Sequence, residues 1–98
     1  MGKHVYVLCD SWFRGMYEDS NSDTYILGVF ESKELAEEAR EKMYNRTKES
    51  EPSFEYEPDE ETKYSYNINE FNRNGNKVNV SHRLMIYCYQ LNQLALII

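Results

Sequence analysis

The chain alternates between apolar runs and polar breaks, and the period of each run predicts an element. His4–Asp10 opens with Val5, Tyr6, Val7, Leu8 and Cys9, apolar on both sides of an extended backbone. That pattern predicts a strand covered on both faces. Residues 11–23 form a long connection rich in Ser, Asn, Asp and Gly. Thr24–Phe30 predicts a second strand, in which Gly28 marks a bulge or a close helix contact. At Glu31-Ser32 the period changes from strand to helix. Ser32 is a natural N-cap, and Glu34 suits the positive end of the helix dipole. Leu35, Ala36, Ala39 and Met43 then recur at helical spacing. Glu38 with Lys42 and Glu37 with Arg40 add pairs about one turn apart. The apolar stripe is narrow, and its two alanines let the helix lie close against a sheet.

Polar character takes over next. Seven acids fall between Glu49 and Glu61, with two prolines and with Phe54 and Tyr56 among them. This composition predicts a mobile acidic loop at about 46–62. Lys63–Phe71 alternates as a strand, with Tyr64, Tyr66 and Ile68 on one face and Ser65, Asn67 and Asn69 on the other. Asn74-Gly75 is a hairpin signal, and Lys77–Gln90 supplies a long partner strand with Val78, Val80, Leu84, Ile86 and Cys88 in phase. The order is β-β-α-β-β. It predicts a single α+β domain over residues 1–98, an antiparallel sheet backed by one helix. The tail L-N-Q-L-A-L-I-I (91–98) is apolar to its last residue. Its exposure in water would invite aggregation, so it is expected to dock, either on its own sheet or on a second copy as a homodimer.

Composition narrows the function classes. Ninety-eight residues allow one modest core. A 41% hydrophobic and 14% aromatic content, with nine tyrosines, excludes a disordered chain. A net charge of −6 argues against direct nucleic-acid binding, which needs clustered Lys and Arg, and suits a basic protein partner. No apolar run reaches the length of a membrane span and no secretion signal opens the chain, so the expectation is a cytoplasmic protein without a membrane partner. Cys9 and Cys88 lie inside apolar runs and read as reduced, buried thiols.

Candidate chemistry is sparse. His4, Cys9, His82 and Cys88 are zinc-ligand types, but His82 and Cys88 lie six residues apart on one strand, roughly 20 Å, while His4 and Cys9 point to opposite faces. No metal is expected from that geometry. The chain has no nucleophile elbow, phosphate-binding Gly-rich loop or zincin helix. A cysteine–histidine nucleophilic pair is less economical than small apolar thiols beside imidazoles at the solvent edge. Neither a catalytic residue nor a cofactor is called for. The 11–23 connection is more informative. It holds Trp12, Phe13, Met16 and Tyr17 around Arg14, the residue mix of binding hot spots. Either the rings fold back to cap the core, or they form an exposed patch, which survives if residues 11–17 continue the first strand.

V-Y-V-L-C-D, then Y-I-L-G-V-F-E-S-K-E-L-A-E-E-A, then Y-N-I-N-E-F resembles a group of short uncharacterised proteins from phages and their bacterial hosts, over roughly the first 72 residues. The resemblance implies a small α+β accessory domain of phage or prophage origin. The leading expectation is a non-enzymatic protein that inhibits a host protein, a defence or nucleic-acid-processing factor with a basic surface, by occlusion. Trp12, Phe13, Arg14, Met16 and Tyr17 would anchor the partner, while Glu55, Glu57, Asp59, Glu60 and Glu61 steer it. The alternative is an oligomeric module that sequesters a nucleotide signal with Arg14, Tyr64, Tyr66, Arg83 and Tyr87.

Overall fold

In the computed structural model, which describes residues 3–14, 21–71 and 74–90, the elements run β1 (His4–Arg14), β2 (Asn21–Phe30), α1 (Lys33–Ser50), β3 (Glu55–Tyr56), β4 (Ser65–Phe71) and β5 (Lys77–Gln90). All strands belong to one antiparallel sheet in the order β2-β1-β5-β4-β3. This is the expected α+β framework with a two-residue strand, β3, added at one edge. β1 lies in the interior of the sheet, between β2 and β5, and its apolar residues are buried on both faces, Leu8 on the helix side and Val7 and Cys9 on the other. Both β1 and β2 extend past their expected limits. Ser11 to Arg14 continue β1 and pair on either side with β2 and β5, so part of the expected connection is sheet.

Ser32 caps α1 as expected, its Oγ accepting from the Leu35 N–H at 3.2 Å. The helix then runs well past Met43 and ends at Ser50, where the Glu51 N–H reaches the Thr47 carbonyl at 2.9 Å and Pro52 follows. The acidic loop expected at 46–62 therefore begins only after residue 50. Tyr44, which packs on the core, and Lys48 in the last turn hold those residues in the helix. The buried stripe also differs from the expected one. Ala36 is fully buried and Ala39, Met43 and Tyr44 pack on the core, whereas Leu35 is exposed.

Register fixes the two faces of the sheet. Tyr6, Leu8 and Asp10 pair with Cys88, Ile86 and Leu84, and Tyr66 pairs with His82, so the even-numbered side chains of these strands share the helix-side face. Its centre is Leu8, Tyr66 and Leu84, with Phe30, Tyr44, Phe54 and Tyr64 packed against them. Tyr44 meets Phe54 and Tyr64 edge-on, with ring centroids 5.4 Å apart in both pairs. The sheet is bulged where β1 and β2 shift register between Leu8 and Cys9, beside Gly28. A Cβ on Gly28 would lie 2.9 Å from the Phe30 ring, so glycine lets that ring fold back over the strand. Gly75 has φ +79°, the left-handed conformation that the Asn-Gly signal anticipates.

Leu84 has no exposed surface, so Leu84→Ala should destabilise the domain by about 2–5 kcal/mol. Loss of the cap in Ser32→Ala should cost about 1 kcal/mol. Urea denaturation monitored by circular dichroism checks both, and equal small effects would contradict this placement of the core.

Candidate functional site

β2 is an edge strand, and it is not protected as edges usually are. It runs ten residues without Pro, Lys or Arg, and Asp23 is its one charged residue. Tyr25, Ile26 and Val29 are 55%, 69% and 59% exposed, and Leu27 is exposed beside them. Among the described residues no strand pairs with the outer side of β2. Apart from the bulge beside Gly28, this is a long apolar edge, and such an edge is a template for adding another strand. The opposite edge has the usual protection: β3 is two residues long, begins with Glu55, and lies between Pro52 and Pro58.

The acidic segment is tied down rather than free. The Phe54 ring stacks on Tyr66 at 5.0 Å, and the Asn69 N–H donates to Ser53 Oγ at 2.9 Å. Ser65 Oγ donates to the Glu57 carbonyl, and the Glu57 N–H returns a bond of 3.3 Å to the Ser65 carbonyl. Asp59 and Glu61 lie 3.6 and 3.5 Å from the Arg83 guanidinium. The segment closes one side of a cavity of about 670 Å³ on the helix-free face, whose lining includes Ser11, Phe13, Thr24, Ser81, Arg83 and Tyr87. Glu57 and Asp59 also line it, against Arg83 as the one cationic residue among its described lining. A phosphate would meet net negative charge, while a basic group would be drawn in.

At the end of the helix-side face that α1 leaves open, polar side chains sit in phase with the core. His82, 8% exposed, places Nδ1 3.1 Å from both Asp10 oxygens and Nε2 3.6 Å from Glu70. Arg14 pairs with Glu70 at 3.1 Å. The His82 ring lies flat on Tyr66, 4.9 Å away with planes 6° apart. Burial, with Asp10 next in size, pushes the Tyr66 hydroxyl up to about 12. His82 was expected at the solvent edge and is buried instead. The signal was in the sequence: Asp10 and His82 are polar residues standing in otherwise apolar phase.

The expected anchor set separates. Trp12 is half-buried behind Tyr25, with ring centroids 6.0 Å apart, and the Arg14 guanidinium lies 5.7 Å from the Trp12 ring. Phe13 is exposed on the opposite face. Met16 and Tyr17 lie outside the described residues, as does the tail at 91–98 with its docking and homodimer expectation. Glu55, Glu60 and Glu61 are exposed, while Glu57 and Asp59 are half-buried beside the cavity. The exposed apolar side chains of β2 belong with this set and were missed. A continuous apolar run reads as a covered strand, and only the sheet order shows β2 at the edge.

The alternative ligand set does not converge either. Tyr64 and Tyr66 lie under the helix, Arg14 sits at the uncovered end of that face, and Arg83 and Tyr87 are on the other side of the sheet. Of the thiols, Cys9 is buried as expected, but Cys88 is exposed. Burial pushes the Cys9 thiol up, away from nucleophilic use, and the sheet separates it from His82. Among the described residues no group of three or more His, Cys, Asp or Glu is placed to hold a metal ion, and no helix is long and apolar enough to cross a membrane.

The model of one protein family, described as a domain of unknown function (DUF7336), matches residues 3–81. No curated protein and no solved structure matches the chain.

The raised Tyr66 hydroxyl has a consequence at alkaline pH. Unfolded, this tyrosine ionises near its ordinary value of 10.0; folded, it keeps its proton to about 12. Its stabilising contribution is therefore complete below pH 10 and is lost as pH rises between those two values. Urea midpoints at pH 9, 10 and 11 should fall more steeply for the natural chain than for Tyr66→Phe.

Proposed function

The chain belongs to the DUF7336 family, whose description carries no activity, and from that premise we propose that it is a non-enzymatic binding protein that inhibits another protein by occlusion. The observation that carries this reading is the unprotected β2 edge. Its outer backbone groups and the exposed Tyr25, Ile26 and Val29 suit an extended segment of a partner added as a further strand. Full burial of an aliphatic side chain from water is worth roughly 1.5–3 kcal/mol, so covering the exposed parts of Ile26 and Val29 contributes a fraction of that each, and edge hydrogen bonds fix register.

Charge supports a basic partner. The exposed Glu55, Glu60 and Glu61 and the carboxylates around the helix-free cavity would speed encounter with a positive surface. Such a surface is what a nucleic-acid-processing enzyme presents, and covering it would inhibit the enzyme without any chemistry. The resemblance to short phage and prophage proteins makes a host protein the partner this reading favours, with the host cytoplasm as the place of action.

Affinity capture from a bacterial host lysate with the natural chain and with the double variant Ile26→Lys/Val29→Lys tests the proposal. The expected result is one host polypeptide retained by the natural chain and depleted at least ten-fold with the variant, whose circular dichroism is unchanged. Replacing Glu55, Glu60 and Glu61 by Gln should slow association and weaken its salt dependence. Equal retention by the natural and edge-variant chains would show that β2 is not the contact.

A further inference from the structure

Three buried ring and guanidinium nitrogens at the uncovered end of the helix-side face have no hydrogen-bond partner among the described residues: Trp12 Nε1, Arg14 Nε and His82 Nε2. All three residues line one cavity of about 120 Å³, together with Asp10, Tyr25 and Glu70. Buried N–H groups are ordinarily paired. Trp12 Nε1–H and Arg14 Nε–H call for an acceptor in the cavity, while neutral His82, whose Nδ1–H is given to Asp10, turns a lone pair at Nε2 toward it and calls for a donor. His82 is more than nine-tenths buried, and its other nitrogen is occupied by Asp10.

The lining restricts what that acceptor can be. Asp10, Glu70 and Arg14 carry a net charge of −1 with His82 neutral, so an anion enters against charge. A cation brings no acceptor, and it would leave the Trp12 and Arg14 N–H groups unpaired. An uncharged group with both a carbonyl oxygen and an N–H meets both demands. Its oxygen faces the indole and guanidinium N–H groups, and its N–H faces a spare lone pair of Asp10 or Glu70. Size sets an upper limit: a cavity of about 150 Å³ holds benzene, so 120 Å³ admits one small ring or less. Trp12 and Tyr25, stacked at 6.0 Å, supply a flat wall for a planar group. Arg14 and Glu70, 32% and 36% exposed, leave the cavity accessible from solvent.

We propose that the cavity between β1, β4 and β5 is a binding site for a neutral planar amide, held by Trp12 Nε1, Arg14 Nε and the carboxylates of Asp10 and Glu70. The amide can come from a free small molecule or from an Asn or Gln side chain of a protein. The site lies on the helix-side face beside the β2 edge and shares Tyr25 with it, but its occupancy is read at Trp12 and does not require that edge to bind a partner.

Trp12 is the chain's one tryptophan, so its indole N–H gives a single nitrogen–proton NMR cross-peak that reports on this cavity alone. Titration with uracil, acetamide, acetate and guanidinium at equal millimolar concentrations tests the proposal. The two amides should shift the indole peak saturably and the two ions should not. Arg14→Met and Glu70→Gln should each weaken the uracil response at least ten-fold while the remaining amide spectrum stays folded. A response to acetamide alone would assign the site to a primary amide side chain; a stronger response to uracil would assign it to a free cyclic amide. No saturable shift with either, an equal shift with acetate, or a peak that shows contact with water only would overturn the proposal.

Discussion

Tyr44, held by α1 against Tyr64, Phe54 and Tyr66, is the contact that joins the helix to the β4 side of the sheet. The rest of the architecture follows from how far that single helix reaches. Eighteen helical residues span about 27 Å, whereas fourteen residues of β5 span roughly 45 Å. The helix is therefore shorter than the longest strand of the face it packs on. Within that face the chemistry changes while the phase does not: Leu8 gives way to Asp10, and Leu84 to His82, before Val80 and Val78 restore buried aliphatic side chains. The Asp10–His82 contact, the stack of His82 on Tyr66 and the Arg14–Glu70 pair sit among the aliphatic residues there. A cluster of this kind holds its geometry only while each charge keeps its partner.

The same limit governs the edges. Pro52, Glu55 and Pro58 protect the β3 side, and Phe54 ties the preceding turn into the core. β2 has no such protection. Its residues are those of a strand meant to be covered, and Gly28 lets Phe30 turn inward while Ile26 and Val29 remain outside. The two edges of one sheet thus differ in kind, one closed by Pro and Glu, the other open for pairing. That asymmetry is the observation on which the proposed binding role rests.

Much of the fold was readable in the sequence. The Ser32 cap, the Asn-Gly turn and the alternation of Lys77–Gln90 are local signals, and each stands where it predicts. The failures were long-range. Continuation of the first strand through Ser11 to Arg14 was one of two local readings, but nothing local shows that these residues have strand partners on both sides. The acids between Glu49 and Glu61 read as disorder because composition does not reveal that Phe54 anchors them and Arg83 pairs with two of them. Of the candidate site, the clustering of aromatics near Trp12 was visible, but their division between two faces depends on strand register. Asp10 and His82 are separated by 72 positions, and only the pairing of β1 with β5 brings them together.

The central claim, that the helix and the β3 side are closed while β2 stands open, is tested most directly by residue-resolved amide hydrogen exchange on the free protein. The account predicts strong protection along β1 and at Leu84, and rapid exchange at the outward-facing amides of β2 between Ser22 and Val29. Protection of those β2 amides equal to that of β1 would contradict it, since another part of the chain or a second copy would then already occupy the edge.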